Sequence, residues 1–238
     1  MPISKIDLVI SAGIEGHFIQ RESLEFIYNN ASSEVFKNIA EEYNAMVFVD
    51  DCHGEGVLGD GGRGIVDHFK LQGRVDFEIG SFSKALGVQG GIVAGKEIVR
   101  THALNHSRSW LLSGSQPPGV AAAQRAAIEV LMDEPEHHAK LWKNTEYFRS
   151  EMQSLGFDTG VSTTPIIPVM CGESSTAKAL SAAMLEQGVM AGAIVFPMVA
   201  RDKARVRTQM STGLSRDDLD EQIIAEWQKF SRVVEYET

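Results

Sequence analysis

Lys84 lies in the stretch SFSKALGVQGGIVAG, residues 81–95, on a run of small residues just past a strand expected from Asp76 to Gly80. An isolated lysine after a strand is ordinarily a solvated charge. Here Ser81, Ser83, Gly87, Gly90 and Gly91 surround it with hydroxyls and permissive backbone, the composition of a turn that comes close to a phosphate. A second polar tip follows the apolar run Met46 to Val49: Asp50, Asp51, Cys52 and His53, then a glycine-rich stretch to Gly64. If the two runs are neighbouring strands of an open sheet, an amine, carboxylates, an imidazole and hydroxyls converge at their carboxyl ends, where such sheets place ligands.

That set of groups suits pyridoxal phosphate. Its aldehyde calls for a lysine amine, its pyridine nitrogen for an anion, and its phosphate for hydroxyl and N–H donors. Three segments then carry a family resemblance: VDDCHGEGVLGDGGRG (49–64), DFEIGSFSKALGVQGGIVAG (76–95) and ARVRTQMS (204–211). Together, in this order, they resemble the α-oxoamine synthases, pyridoxal-phosphate enzymes that condense an amino acid with an acyl-CoA thioester. The resemblance runs over nearly the whole chain and implies an α/β fold of the aspartate aminotransferase-like fold type I. The last segment is most similar to the glycine C-acetyltransferases, which join glycine to acetyl-CoA. An 8-amino-7-oxononanoate synthase or another sister activity is the first alternative. A catalytically silent subunit or interaction partner is the second, and a fold-type I aminotransferase the third.

The resemblance assigns roles residue by residue. Lys84 would hold the cofactor and, once displaced, act as general base, its proton affinity lowered by burial and by the cofactor. Asp50 would face the pyridinium nitrogen, and His53 the phenolic oxygen or the substrate carbonyl. Asp51, the next residue along, would point the other way into a structural hydrogen bond. Ser81 would bond the phosphate. Ser113, with Ser115 behind it, matches positions that reach the phosphate of a partner subunit, although ordinary turn serines read equally well there. Arg207 matches the position that binds the substrate carboxylate, a charge-assisted bond worth about 1.5–3 kcal/mol. Strand alternation puts Arg205 on the same face, so spacing does not choose between the two arginines.

The elements that must position these groups read as follows. Ile6 to Ile10 is a short strand, Ser32 or Ser33 caps a helix through Tyr43, and Met46 to Val49 is the next strand, a βαβ unit with a parallel crossover. Ile65 to Leu71 is a short helix, Gly91 to Ala94 a strand, and 96–105 a helix. Residues 110–118 form a turn-rich connection whose paired prolines open a helix over 119–132. A long amphipathic helix over 135–155 begins a second domain. The expected division is a partial cofactor-binding large domain with a mainly parallel sheet, residues 1–134, and an α+β small domain, residues 135–238. In that small domain a strand is expected at 166–170, a helix at 176–187, strands at 193–196 and 205–210, and a final helix at 216–234 opened by a Ser215–Asp218 capping box.

The resembling enzymes carry a long segment upstream of the first strand, so the sequence reads as the second half of such an enzyme. The tetrapeptide GIEG, 13–16, has Gly13 where the family usually has serine. A homodimer with a shared active site is implied, since the family builds its cofactor site across a two-fold interface.

Composition limits the partners. With 238 residues, 43% of them hydrophobic, the chain can bury a sizeable core. A net charge of −10 disfavours nucleic acid or an anionic membrane as the principal partner. Two distant cysteines, Cys52 and Cys171, have neither zinc-site spacing nor the pattern of a disulfide framework, so no metal site is expected and the reading is cytoplasmic.

Overall fold

The computed structural model describes residues 8–11, 46–220 and 227. The expected helix through Tyr43 and the GIEG tetrapeptide lie outside the described residues, as does most of the last expected helix. The chain divides into two compact units, Met1–Pro135 and Glu136–Thr238.

The first unit is built on a four-stranded sheet ordered β1 (Leu8–Ser11), β2 (Val47–Asp50), β3 (Phe77–Ser81) and β4 (Gly91–Gly95). β1, β2 and β3 run parallel, with Ser11 opposite Asp50 and Asp50 opposite Ile79. β4 returns antiparallel to β3, Ser81 opposite Gly91. The β-branched and aromatic content of VFVD and FEIGS suits these pleated positions, and Phe48 and Phe77 meet across the ladder at 4.7 Å between ring centroids. At the amino ends of β2 and β3, Asp76 accepts the Val47 N–H at 2.8 Å and the Lys96 ammonium at 3.0 Å, which ties the start of the sheet to the residue after β4.

Between β2 and β3 the chain runs through a 3-10 turn, Asp60–Gly62, and a short helix, α1 (Ile65–His68). After β4 come α2 (Glu97–His106), α3 (Arg108–Leu111) and α4 (Pro118–Asp133). Pro118 stands at the first position of α4, where its missing N–H removes one of the amides that a helix start leaves unbonded anyway. The turn-rich connection expected from Trp110 begins within the single helical turn α3. The Ser107 carbonyl accepts the N–H groups of Trp110 and Leu111 and so starts that turn.

The second unit opens on α5 (Pro135–Ser154) and places β5 (Ile166–Gly172), α6 (Ser174–Glu186), β6 (Gly192–Ile194) and β7 (Ala204–Gln209) in a three-stranded antiparallel sheet ordered β5-β7-β6 with a helix against it. Its interior is closed: Phe148, Met152, Ile167, Ala177, Met184, Val206, Leu219 and Trp227 are fully buried. The carbonyls of Ser211 and Leu214 accept from the Asn144 amide at 3.1 and 3.0 Å, and that of Thr212 from Lys140 at 2.7 Å, so α5 grips the loop that follows β7. The expected capping box is present: Asp218 accepts from the Ser215 N–H at 2.8 Å and from its hydroxyl at 2.7 Å, while the Ser215 hydroxyl accepts the Asp218 N–H at 3.1 Å. No helix among the described residues is long and apolar enough to cross a membrane.

Candidate functional site

The carboxyl ends of β2 and β3 lie side by side, and the chain leaves both of them into polar loops. The Asp51 N–H donates to the Ile79 carbonyl at 2.8 Å, so the residue after β2 is still tied to β3. Asp50 ends β2 half-buried and accepts the Cys52 N–H at 3.1 Å. Burial pushes the Cys52 thiol up to about 11, helped by a hydrogen bond to Asp50 and by its charge, while the charge of Lys84 acts against them. Asp50 ends β2 opposite Ile79 of β3, and Lys84 follows the end of β3 by three residues. His53 is half-buried in the same loop.

Lys84 is carried by the connection between β3 and β4. That connection is a closed loop: the Phe82 N–H donates to the Gly90 carbonyl at 3.0 Å, the Val88 N–H to the Phe82 carbonyl at 2.8 Å, and the Gly87 N–H to the Lys84 carbonyl at 3.0 Å. Buried Phe82 anchors the base of the loop, and Lys84 at its turn is exposed. The expectation that this lysine is buried is therefore corrected: within this chain Lys84 is exposed, flanked by the small, exposed residues Ser83 and Ala85. Ser81 and Ser83 share a hydrogen bond at 2.8 Å between their hydroxyls, just ahead of Lys84 in the chain.

Two carboxylates that sequence reasoning left out of the chemistry hold the glycine-rich loop. Asp51 is fully buried and accepts the Ile65 N–H at 2.7 Å, the structural bond expected of it. A Cβ on Gly54 or Gly64 would collide with that carboxylate, so both glycines are needed where they stand. Burial pushes the Asp51 carboxyl up to about 7; the Ile65 bond opposes the shift, and the charges of Glu78 and Glu55 add to it. Glu55 accepts the Ser81 N–H and lies over Gly80, and burial and the Glu78 charge raise its proton affinity. The loop after β2 is in this way latched to the end of β3 by a side chain. The signal for it was a glycine at the penultimate position of β3 and an acid two residues after the histidine, and the latch itself needed a pairing that spacing does not specify.

The connection from Ser113 to Pro117 adjoins the same loop. Ser113 and Ser115 are exposed, the Ser115 N–H donating to the Ser113 hydroxyl at 3.1 Å. Gln124, on the first turns of α4, donates from its amide to the Gln89 carbonyl and to the Gln116 side-chain oxygen, each at 2.7 Å. Gly90, at φ +113°, leaves room for both glutamine amides. Gln116 and Gln124 were missed because a glutamine pair across a helix start has no motif.

Arg207 belongs to the second unit, in the central strand β7. Ala204, Val206 and Thr208 are buried, and Arg205 and Arg207 share the opposite, half-buried face, as alternation requires. Their environments differ. Arg205 donates to the Lys203 carbonyl at 3.1 Å, whereas the Arg207 Nε is buried with no hydrogen-bond partner, its Nη2 reaching Gln209 at 3.4 Å. Among the described residues no cluster of histidine, cysteine and carboxylate side chains is arranged to hold a metal ion.

Residues 29–225 match the family model of the class I and II aminotransferases. The chain belongs to that family. Among curated relatives it is 49% identical over 187 residues to the 8-amino-7-oxononanoate synthase of Symbiobacterium thermophilum, a match spanning 79% of this chain and 48% of the relative. It is 46% identical over 183 residues to 8-amino-7-oxononanoate synthase 1 of Bacillus subtilis, spanning 77% and 47%. The chain thus spans about half the length of the curated relatives it matches. A solved structure of SPT with its PLP internal aldimine matches with a TM-score of 0.80 at 26% identity, over 86% of this chain and 52% of that one. The fold is fold type I of the pyridoxal-phosphate-dependent transferases. The relatives are α-oxoamine synthases, and they carry the 8-amino-7-oxononanoate name rather than the glycine C-acetyltransferase one that ARVRTQMS suggested.

Proposed function

We propose that this chain contributes the lysine-bearing part of a pyridoxal-phosphate site in an α-oxoamine synthase, a C-acyltransferase that joins an amino acid to an acyl thioester and releases the thiol. The carrying observation is the place where β2 and β3 end side by side, Asp50 opposite Ile79, with Lys84 three residues beyond the end of β3.

The donor set fits the cofactor. The exposed Lys84 amine can reach an aldehyde, and the Asp50 carboxylate can pair with a ring nitrogen. His53 would hydrogen-bond the ring's phenolic oxygen. Ser81, with Ser113 and Ser115, would supply hydroxyls to the phosphate. When bound, the cofactor supplies an electron sink for negative charge at the amino acid Cα. Lys84 would take the proton from that carbon. Arg207 would orient the substrate carboxylate, and its buried, unpartnered Nε leaves a donor to be satisfied. The reading includes a homodimer that shares the site.

The named relatives favour 8-amino-7-oxononanoate synthesis, from alanine and a pimeloyl donor, over acetyl transfer to glycine. The test is a visible spectrum of the purified chain with added pyridoxal phosphate, alone and as Lys84→Ala. A band that forms in the parent and is lost in the variant supports the reading, and no band in either sinks it. Turnover of alanine with pimeloyl-CoA, set against glycine with acetyl-CoA, then decides between the two activities.

A further inference from the structure

We propose that Glu55 is a positioning residue for the lysine-bearing loop: it closes the β2–β3 ladder where β2 leaves the sheet, and so fixes Ser81 and the turn that carries Lys84. The inference rests on the cofactor reading above and deepens it.

The ladder shows why the end of β3 needs such a group. In a parallel pair, a residue that donates to one carbonyl of its neighbour accepts from the N–H two residues further along. Asp51 donates to the Ile79 carbonyl at 2.8 Å, so a continued ladder would bring the Ser81 N–H to the Asp51 carbonyl. That carbonyl is engaged elsewhere. It accepts the N–H groups of Gly54 and Glu55 at 3.0 and 3.2 Å, because the chain turns away after Asp51. Nor does β4 offer a partner. The Phe82 N–H donates to the Gly90 carbonyl at 3.0 Å, and successive N–H groups of a strand point to opposite sides, so that of Ser81 faces away from β4. Both ladders thus leave the Ser81 N–H over, and the Glu55 carboxylate accepts it.

The contact is built from both sides. Glu55 is held in its own loop by a bridge to Arg63, and the next residue, Gly56, donates its N–H to the Gly62 carbonyl at 2.8 Å. Gly80 makes the room, since a Cβ there would overlap both carboxylate oxygens of Glu55. From Ser81 the constraint passes along the chain. Its hydroxyl shares the hydrogen bond with that of Ser83, the Ser83 N–H donates to it at 3.4 Å, and Lys84 follows. Buried Phe82 stands between the two serines, its N–H on the β4 side. The backbone leading to Lys84 is therefore gripped by β4 on one side and by Glu55 on the other, and a loop fixed in advance binds its ligand more tightly than one that must be ordered.

The experiment uses the full 238-residue chain as Glu55→Met, Glu55→Gln and Gly80→Ala. Methionine keeps the length of the side chain without an oxygen, glutamine keeps an oxygen acceptor, and the added methyl at residue 80 displaces the carboxylate while leaving Glu55 itself intact. Amide exchange at residues 81–84, read without cofactor, should speed about tenfold in Glu55→Met and Gly80→Ala and stay near the parent rate in Glu55→Gln. In a visible titration with pyridoxal phosphate, the apparent dissociation constant should rise about tenfold in the same two variants and return toward the parent value in Glu55→Gln. Unaltered exchange in Glu55→Met overturns the proposal. Faster exchange with an unchanged dissociation constant also overturns it, since Glu55 is then a contact of the fold only. So does a Glu55→Gln chain that behaves like Glu55→Met, because acceptance of the N–H is then not what matters. A parent that forms no band removes the cofactor reading and this role with it, whereas a parent band indifferent to Glu55→Met removes this role only. Should Gly80→Ala misfold, the methionine and glutamine variants still decide.

Discussion

The two units of this chain are held together by different means. The second is organised around a sealed apolar interior, where Phe148, Met152, Ile167, Val206 and Trp227 are out of solvent and polar groups such as Asn144 satisfy loop carbonyls. In the first, among the described residues, buried apolar side chains come down to Val49, Leu58, Val66 and Phe82, and much of the order lies in polar latches: Asp51 on Ile65, Glu55 on Ser81, Asp76 on Val47 and Lys96, Gln124 on Gln89. The difference separates the candidate residues from the closed core: Lys84, Asp50, His53 and Ser81 lie in the unit whose loops are fixed by hydrogen bonds, and such bonds contribute less each than a closed core does.

The contrast can be broken most sharply at Phe148. Phe148→Ala should cost the second unit about 3–5 kcal/mol, because a fully buried ring leaves a cavity. Ile128→Ala on exposed α4 should change stability by about 0.5 kcal/mol or less. Urea melts followed by circular dichroism check both, and equal effects would remove the distinction.

The next effect is a pH dependence confined to the first unit. Asp51 holds its proton more tightly when folded, to about pH 7, than an ordinary carboxylate near 3.8. The folded state therefore binds more protons between those values. The Asp51 contribution to stability is greatest below about pH 4, declines as pH rises toward 7 and stays reduced above, by on the order of a few kcal/mol. Asp51→Asn keeps an acceptor for the Ile65 N–H and should flatten the profile, as followed by amide exchange in residues 54–65 between pH 4.5 and 8. A profile unchanged by the substitution would show that Asp51 is not its source.

Much of the local structure was legible before any tertiary information. The β2 and β3 runs, the proline start of α4 and the Ser215–Asp218 box all came from short-range rules of pleat, fixed φ and capping. The last of these predicts a smaller effect: Ser215→Ala should lower the stability of the second unit by about 1 kcal/mol, measured by thermal melting. The candidate site was half legible. Lys84, Asp50, His53 and Ser81 announced themselves by lying at the ends of apolar runs. The exposure of Lys84 did not, because solvent access is a sum over neighbours distant in sequence.

The smallest effect is reserved for Gln124. Gln124→Leu removes both of its amide bonds and should speed amide exchange in residues 84–90 several-fold with little change in melting temperature, since exposed bonds of this kind contribute about 0.5–1.5 kcal/mol at most. Exchange left unaltered would mean that the loop is closed by its own backbone bonds alone.

By itself the sequence determined the elements and the reactive groups, because helix starts, strand pleats and turn glycines are decided by interactions a few residues apart. Only the tertiary structure decided that β2 and β3 run parallel as neighbours, that β4 turns back antiparallel, and that Asp51 and Glu55 fill the space left by Gly54, Gly64 and Gly80. It also separated Arg207 from Arg205, since the two share a face and differ in what surrounds their guanidinium groups. These are long-range choices, settled by which groups can be desolvated and hydrogen-bonded together at once. Local spacing carries no record of that competition.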